Sequence, residues 1–189
     1  IIGRTEKSMR EEIAKIPDGI YRAEGIVEQA KGKDNIIIKV GVEVKESDII
    51  VDLDGSSPQV DWGGNVVYNF TYAYVFMAMK SMFGPDIPNN DGCAAPIKMK
   101  ALEGTVVNCR FPAAVAARLV IGHFLTEIIY RALSKVVPNK VIAASGGTPA
   151  QMNVFYGRRN DRSPWHSVII RGGGMGASSI GDGHYVYIF

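Results

Sequence analysis

The chain has 189 residues, 47% of them hydrophobic and 21% charged, enough for one folded domain with a real core. A formal net charge of +2, with no Arg/Lys cluster interleaved with aromatics, gives no support to phosphate-backbone binding. No apolar run reaches ~20 residues and the first residues lack a signal-peptide pattern, so neither a membrane span nor secretion is expected.

In chain order, Met9, Ile13 and Ile16 fall on one face of a helix over Arg4 to Lys15. Pro17-Asp18-Gly19 stops it. A strand follows from Gly19 to Glu28, then a polar turn at Lys31 to Asn35. From Asn35 to Val44 the pattern alternates, with Ile36, Ile38, Val40, Val42 and Val44 on one face. Ile49, Val51 and Leu53 continue an antiparallel meander with one wet face. Lys45 to Asp48 is expected as a four-residue loop rather than a two-residue hairpin. Asp52 and Asp54 share a face and could bind a cation; a solvated face with a turn cap is the better-supported account.

Asn65 is a plausible N-cap for an apolar helix over about 65–82, whose Met residues read as core. Phe83 to Ala94 carries Pro85, Pro88, Asn89, Asn90 and Asp91 and suits a stiff connection or the rim of a site, with the connection slightly favoured. Ile97 to Lys100 and Val106 to Cys109 read as short strands around a turn at Glu103-Gly104. A second long helix spans about 114–135, with an i, i+4 pair of Glu127 and Arg131. His123 precedes Glu127 by one turn; a packed histidine is preferred to a metal ligand or catalytic base, since two ligands do not make a site. Val141 to Ala144 is expected as a short buried strand, Val154 to Tyr156 as another, and Trp165 to Ile170 alternates again. The fold class is therefore α+β, an N-terminal antiparallel meander with two buried helices packed on mixed short strands. We take residues 1–189 as a single domain, expected to be a portion of a longer polypeptide or one piece of a tight assembly.

Cys93 and Cys109 are sixteen residues apart without a C-x-x-C spacing, which suits two reduced thiols in a cytoplasmic chain. Cys93 has no histidine near it in sequence and makes a poor nucleophile candidate. Two glycine segments stand out: Ala143-Ala-Ser-Gly-Gly-Thr148, and Gly172-Gly-Gly-Met-Gly-Ala177. Neither is a dinucleotide fingerprint, a phosphate-binding G-x-x-x-x-G-K-[ST] loop or a G-x-S-x-G elbow, so ATP binding by this chain is not supported. Two accounts stay open. Such glycines let backbone amides converge on an anionic or carbonyl oxygen, or they let sheet layers pack closely.

Five ordered blocks carry a family resemblance: Ile16-Pro-Asp-Gly19 with Tyr21; Val51-Asp-Leu-Asp-Gly-Ser-Ser-Pro-Gln59; Pro85-Asp-Ile-Pro-Asn-Asn-Asp-Gly-Cys93; Ala143 to Thr148 with Asn153; and Gly172 to Ala177 followed by Asp182-Gly183. The chain resembles the hydantoinase B/oxoprolinase family, the B-type component of ATP-dependent cyclic-amide hydrolases, related to the large subunits of acetone and acetophenone carboxylases. It departs from the family pattern at Gly146, where glutamine is frequent, and at His166 to Arg171, which lacks the usual acid before the glycine run.

The resemblance implies a two-component reaction. An A-type ATPase partner, using ATP and Mg, phosphorylates the substrate oxygen, and the B-type component opens the ring of a hydantoin or 5-oxoproline. A ketone carboxylase component is the near alternative, and a catalytically silent assembly module of the same fold is a third. On this view Asp182, Asn153, Thr148 and Asp91 are the catalytic candidates. Gly146, Gly147, Gly172, Gly173, Gly174, Asn89 and Asn90 would contact the substrate or its oxyanion. No cofactor and no metal is assigned to these residues, because the family's divalent-metal ligands lie in an upstream part. The implied partners are a hydantoinase A-like ATPase subunit, and a second copy or the rest of its own chain.

Overall fold

Alternation in the second strand does most to organise the molecule. A computed structural model describes residues 1–29, 33–146 and 150–185. Tertiary contacts gather into two compact units, Ile1–Val141 and Ile142–Phe189, within the span taken above as one domain.

In the first unit, β1 (Gly19–Val27), β2 (Ile36–Lys45) and β3 (Asp48–Asp52) form the expected antiparallel meander. A fourth strand, β4 (Ile97–Lys100), joins β3 in parallel, giving the order β1-β2-β3-β4. A parallel neighbour needs a crossover, and the long link from β3 to β4 supplies it. Ile36, Ile38, Val40, Val42 and Val44 are buried on one face of β2, while Lys39, Gly41 and Glu43 face outward. Ile49, Val51 and Leu53 continue that buried face at 0% exposure. Each such side chain contributes about 1.5–3 kcal/mol of burial free energy.

Helices close this face. The first, α1 (Ile2–Ile13), begins two residues earlier than expected and buries Met9 and Ile13. The second, α2 (Tyr68–Phe83), starts later than the 65–82 expectation. A four-residue turn of helix, α3 (Asp91–Ala94), packs against α1, and α4 (Leu119–Leu133) lies against α2, β1 and β2. Leu125, Ile128, Ile129 and Leu133 carry its buried stripe. Arg131 donates to the Glu24 carbonyl on β1. The free edge of β4 is blunted by two phenols of α2: Tyr68 Oη donates to Met99 O (3.1 Å) and Tyr72 Oη to Ile97 O (3.2 Å).

Several local expectations change. Lys45 and Asp48 pair directly, so the connection is a two-residue turn with Glu46 at φ 54°; its N–H donates to Asp18 Oδ1 (2.8 Å). Asn65 does not cap α2. It is fully buried, and its side chain ties together the loops on either side. Val106 to Cys109 is a turn, not a strand: Val106 N donates to Ser57 O and Cys109 N to Val66 O, so this run is laid across the 57–66 loop. Val141 to Ala144 forms only an isolated bridge, Ile142 with Ser178, and Ala143 and Ala144 are exposed.

The second unit is built around a two-stranded antiparallel ribbon, β5 (Ala150–Arg158) and β6 (Pro164–Gly172). Beyond it the chain crosses back over residues 142–146 through hydrogen bonds between main-chain groups. Among the described residues no helix is long and apolar enough to cross a membrane.

Candidate functional site

The two glycine segments meet in the second unit. Ala143 N donates to Ala177 O (2.8 Å) and Gly146 N to Gly174 O (2.8 Å), which lays 143–146 alongside 174–177. On the other side Met175 N donates to His184 O (2.9 Å), adding the 181–185 run. Ser145 Oγ accepts from Gly176 N at 3.3 Å. Three backbone runs thus lie side by side.

At three positions the spacing of these runs leaves no room for a side chain. An added Cβ on Gly176 would overlap the Ala143 carbonyl oxygen, one on Gly183 the Met175 carbonyl oxygen, and one on Gly173 the Gly146 carbonyl oxygen. The neighbours are backbone and cannot swing aside. Close packing is therefore visible at Gly173, Gly176 and Gly183. The Gly146 amide is taken up by Gly174 O within the layer.

The remaining candidates fall in different places. Asp182 is exposed in the 181–185 run, directly before Gly183. Asn153 is exposed on β5, opposite Ile169 of β6. Gly147 and Thr148 lie outside the described residues. Gly172 ends β6 and Gly173 follows it. So the structure brings Gly146, Gly173 and Gly174 together with the residues that flank Asp182. His184, which the sequence reading did not single out, belongs to the same layer through its carbonyl. Its only signal was its place one residue beyond Asp182-Gly183.

Asn89, Asn90 and Asp91 belong to the first unit. Asn89 and Asp91 are exposed. Asn90 works as the N-cap of α3: its Oδ1 accepts from Gly92 N (2.9 Å), and its Nδ2 donates to Thr5 Oγ1 on α1 (3.0 Å). Cys93 Sγ donates to Asn90 O (3.0 Å) and is fully buried. Gly92 sits so close to α1 that a Cβ would overlap Ile2 O. In the first unit this block clasps α1, in keeping with a stiff connection.

An open depression of about 520 Å³ lies on the outer face of the four-stranded sheet, over the bare Cα of Gly41. Arg22, Glu24, Lys39, Glu43, Asp52 and Asp54 line it. The strand alternation that buried the β2 valines is what turns these charges outward. Within it Asp52 Oδ1 accepts from Asp54 N (2.9 Å) and Asp54 Oδ1 from Leu102 N (3.2 Å), a turn cap for the loop after β3. Among the described residues no group of three or more His, Cys, Asp or Glu side chains could hold a metal ion.

Both thiols are free. Burial pushes the Cys109 thiol above its ordinary value, which disfavours the thiolate. His123 is 5% exposed, with its ring 5.4 Å from that of Tyr74, and burial lowers its pKa below 6.5. As pH falls through 6.5 the unfolded chain takes up a proton that the buried ring resists, so stability is lost towards acid. Urea midpoints measured between about pH 7.5 and 5.5 should fall for the wild type and fall less for His123→Gln. Equal slopes in the two proteins would remove His123 as the cause.

Comparison with known proteins accords with this architecture. A sequence profile of the family described as hydantoinase B/oxoprolinase matches residues 1–188. The B-type subunit of a putative D-/L-hydantoinase from Pseudomonas sp. (strain NS671) is 34% identical over 97% of this chain and 32% of its own length. The 5-oxoprolinase of Saccharomyces cerevisiae is 26% identical over 77% of this chain and 12% of its own. Among known structures, the ATP-dependent caprolactamase of Pseudomonas jessenii superposes with a TM-score of 0.80 at 22% identity, over 96% of this chain and 32% of that one. Acetone carboxylase, in a nucleotide-free structure, gives a TM-score of 0.74 at 18% identity over 97% of this chain and 27% of that one. At those identities the two structures speak for the fold. The chain spans about a third of the length of the hydantoinase subunit it matches. With a profile match over nearly every residue, the chain belongs to the hydantoinase B/oxoprolinase family.

Proposed function

We propose that this chain is part of the B-type component of an ATP-dependent amidohydrolase that opens an activated cyclic amide, such as a hydantoin or 5-oxoproline. One observation carries the reading: 34% identity to a B-type hydantoinase subunit across 97% of the chain. That relative is named as a subunit, which supports a two-component assembly here. The ketone-carboxylase alternative draws on fold likeness at 18% identity and so has the weaker support.

In this reading an A-type partner binds ATP and Mg and phosphorylates the amide oxygen. Water then adds at the activated carbon, the ring C–N bond breaks as the nitrogen leaves with a proton to give an acyl phosphate, and a second water hydrolyses that acyl phosphate to the carboxylate and free phosphate. Asp182, exposed beside the glycine layer, is the carboxylate proposed to take the water's proton, and Asn153 is proposed to hydrogen-bond the substrate. Gly173 and Gly174 are proposed to stabilise the developing oxyanion through their amides. Gly146 is withdrawn from that role, since its amide already donates to Gly174 O. The proposed setting is cytoplasmic, where ATP is at hand.

Reconstitution tests this. The chain alone should neither hydrolyse ATP nor open 5-oxoproline or a hydantoin. Adding the rest of a B-type polypeptide and an A-type ATPase should give ATP-coupled product. In that assembly Asp182→Asn and Asn153→Ala should each lower kcat by about 10²-fold or more. Full rate in both variants removes the catalytic assignment, and turnover by the chain alone removes the division of labour.

A further inference from the structure

The β5–β6 ribbon exposes apolar side chains on both of its faces. The register puts Val154, Tyr156 and Val168 on one face and Phe155, Trp165 and Ile169 on the other. Tyr156 is 83% exposed, Val154 54% and Phe155 49%. Consecutive apolar residues, as in Val154-Phe155-Tyr156 and Val168-Ile169, are the pattern of strands covered on two sides. A strand with one wet face alternates, as β2 does. A two-stranded ribbon with both faces in water is marginally stable and prone to aggregate. The tip differs: Arg158, Arg159, Asp161 and Arg162 are exposed, and Asp161 Oδ1 accepts from Ser163 N (2.9 Å) and Ser163 Oγ (2.6 Å). Cover is needed along the strands and not at the tip.

We infer that the β5–β6 ribbon is an interlocking arm, gripped on both faces by the portion of a B-type polypeptide that lies outside the region this chain matches. The inference rests on the B-type reading above. The choice of occupant rests on two observations. The hydantoinase subunit and the caprolactamase are each about three times the length of the region they share with this chain. The fold shared with the caprolactamase covers 96% of this chain, which leaves fewer residues unmatched than the ribbon contains. Most of the ribbon therefore belongs to the common fold, inside a much longer chain. A second copy fits less well, because a symmetric ribbon pair covers one face of each and leaves the other wet.

Tyr156→Cys and Phe155→Cys report the two faces separately, since neighbouring strand residues point to opposite sides. The native thiols are buried or half-buried and serve as the unmutated control. Maleimide labelling is compared between the 189-residue chain, checked to be monomeric, and the complete B-type polypeptide. Both cysteines should label about tenfold or more slowly in the complete polypeptide. Fast labelling of either face there overturns the two-sided grip. Equal protection in the monomeric 189-residue chain places the cover within it and also overturns the proposal. So does protection that appears only on self-association. Labelling needs no turnover, so its failure is distinct from failure of the amidohydrolase reading.

Discussion

Gly176→Ala should unfold the second unit or leave it weakened by about 3 kcal/mol, at the upper end of what overpacking costs. The reason is geometric. Gly176 is buried between the 143–146 and 181–185 runs, and its new methyl would overlap the Ala143 carbonyl oxygen. Relief requires parting two backbone runs, with loss of the Ala143 N to Ala177 O bond and of the contact between Gly176 N and Ser145 Oγ. Gly181→Ala is the internal control: nothing lies within 4 Å of an added Cβ there. It should stay within about 0.5 kcal/mol of the wild type. Trp165 is the only tryptophan of the second unit, so its fluorescence under urea, with limited proteolysis, reads the change. A Gly176→Ala protein as stable as Gly181→Ala would sink the packing account and return the glycine run to a purely ligand-facing role.

Asn65→Ala should cost the first unit about 3–4 kcal/mol, because it strands several buried polar groups at once. Asn65 is 0% exposed. Its Oδ1 accepts from Val60 N (2.7 Å), and its Nδ2 lies 2.9 Å from each of three carbonyl oxygens, of Val60, Trp62 and Ala114. An amide has two N–H donors, so one of them is shared among these carbonyls. The residue thus pins the 60–65 loop to the segment leading into α4. Asn65→Asp should be worse than Asn65→Ala, since a carboxylate would face three carbonyl oxygens in a dry site. Urea midpoints with an unchanged m-value measure the loss, and proteolysis after residues 113–117 reports release of the segment. A loss under about 1 kcal/mol for Asn65→Ala would show that water replaces the amide without difficulty.

The two variants also separate what could be read along the chain from what could not. The meander was legible because its period is two and one face is buried: Ile36 to Val44 announces both the strand and its inner side. The second long helix was legible for the same reason at the helical period, although it begins at Leu119, later than the 114 expected. Asn65 was misjudged because a short amide before a helix is a good N-cap in isolation. Its actual partners include Ala114, forty-nine residues away, and no local rule finds them. The Val106 to Cys109 run likewise has strand-like composition, but its backbone partners are loop groups at Ser57 and Val66.

The candidate site divides in the same way. Glycine runs and an acid near them mark places where backbone comes close, and the resemblance supplied a chemistry for them. Whether a glycine is kept for a ligand or for a neighbouring strand depends on what stands beside it. Asn90 made the same point: placing it among the substrate contacts was reasonable from its block, yet its side chain is spent on capping α3 and holding Thr5.

By itself the sequence determined the family, the α+β class, the buried face of the sheet and the two long helices, because periodicity and ordered motifs are local properties of the chain. Only the tertiary structure decided that β4 adds in parallel, that Asn65 is a loop staple, and that the glycine segments pack on each other with Gly146 already hydrogen-bonded. It also exposed a ribbon with two apolar faces and basic residues at its tip. These depend on which distant backbone groups meet, and hydrogen bonding and steric exclusion between distant segments leave no period in the sequence.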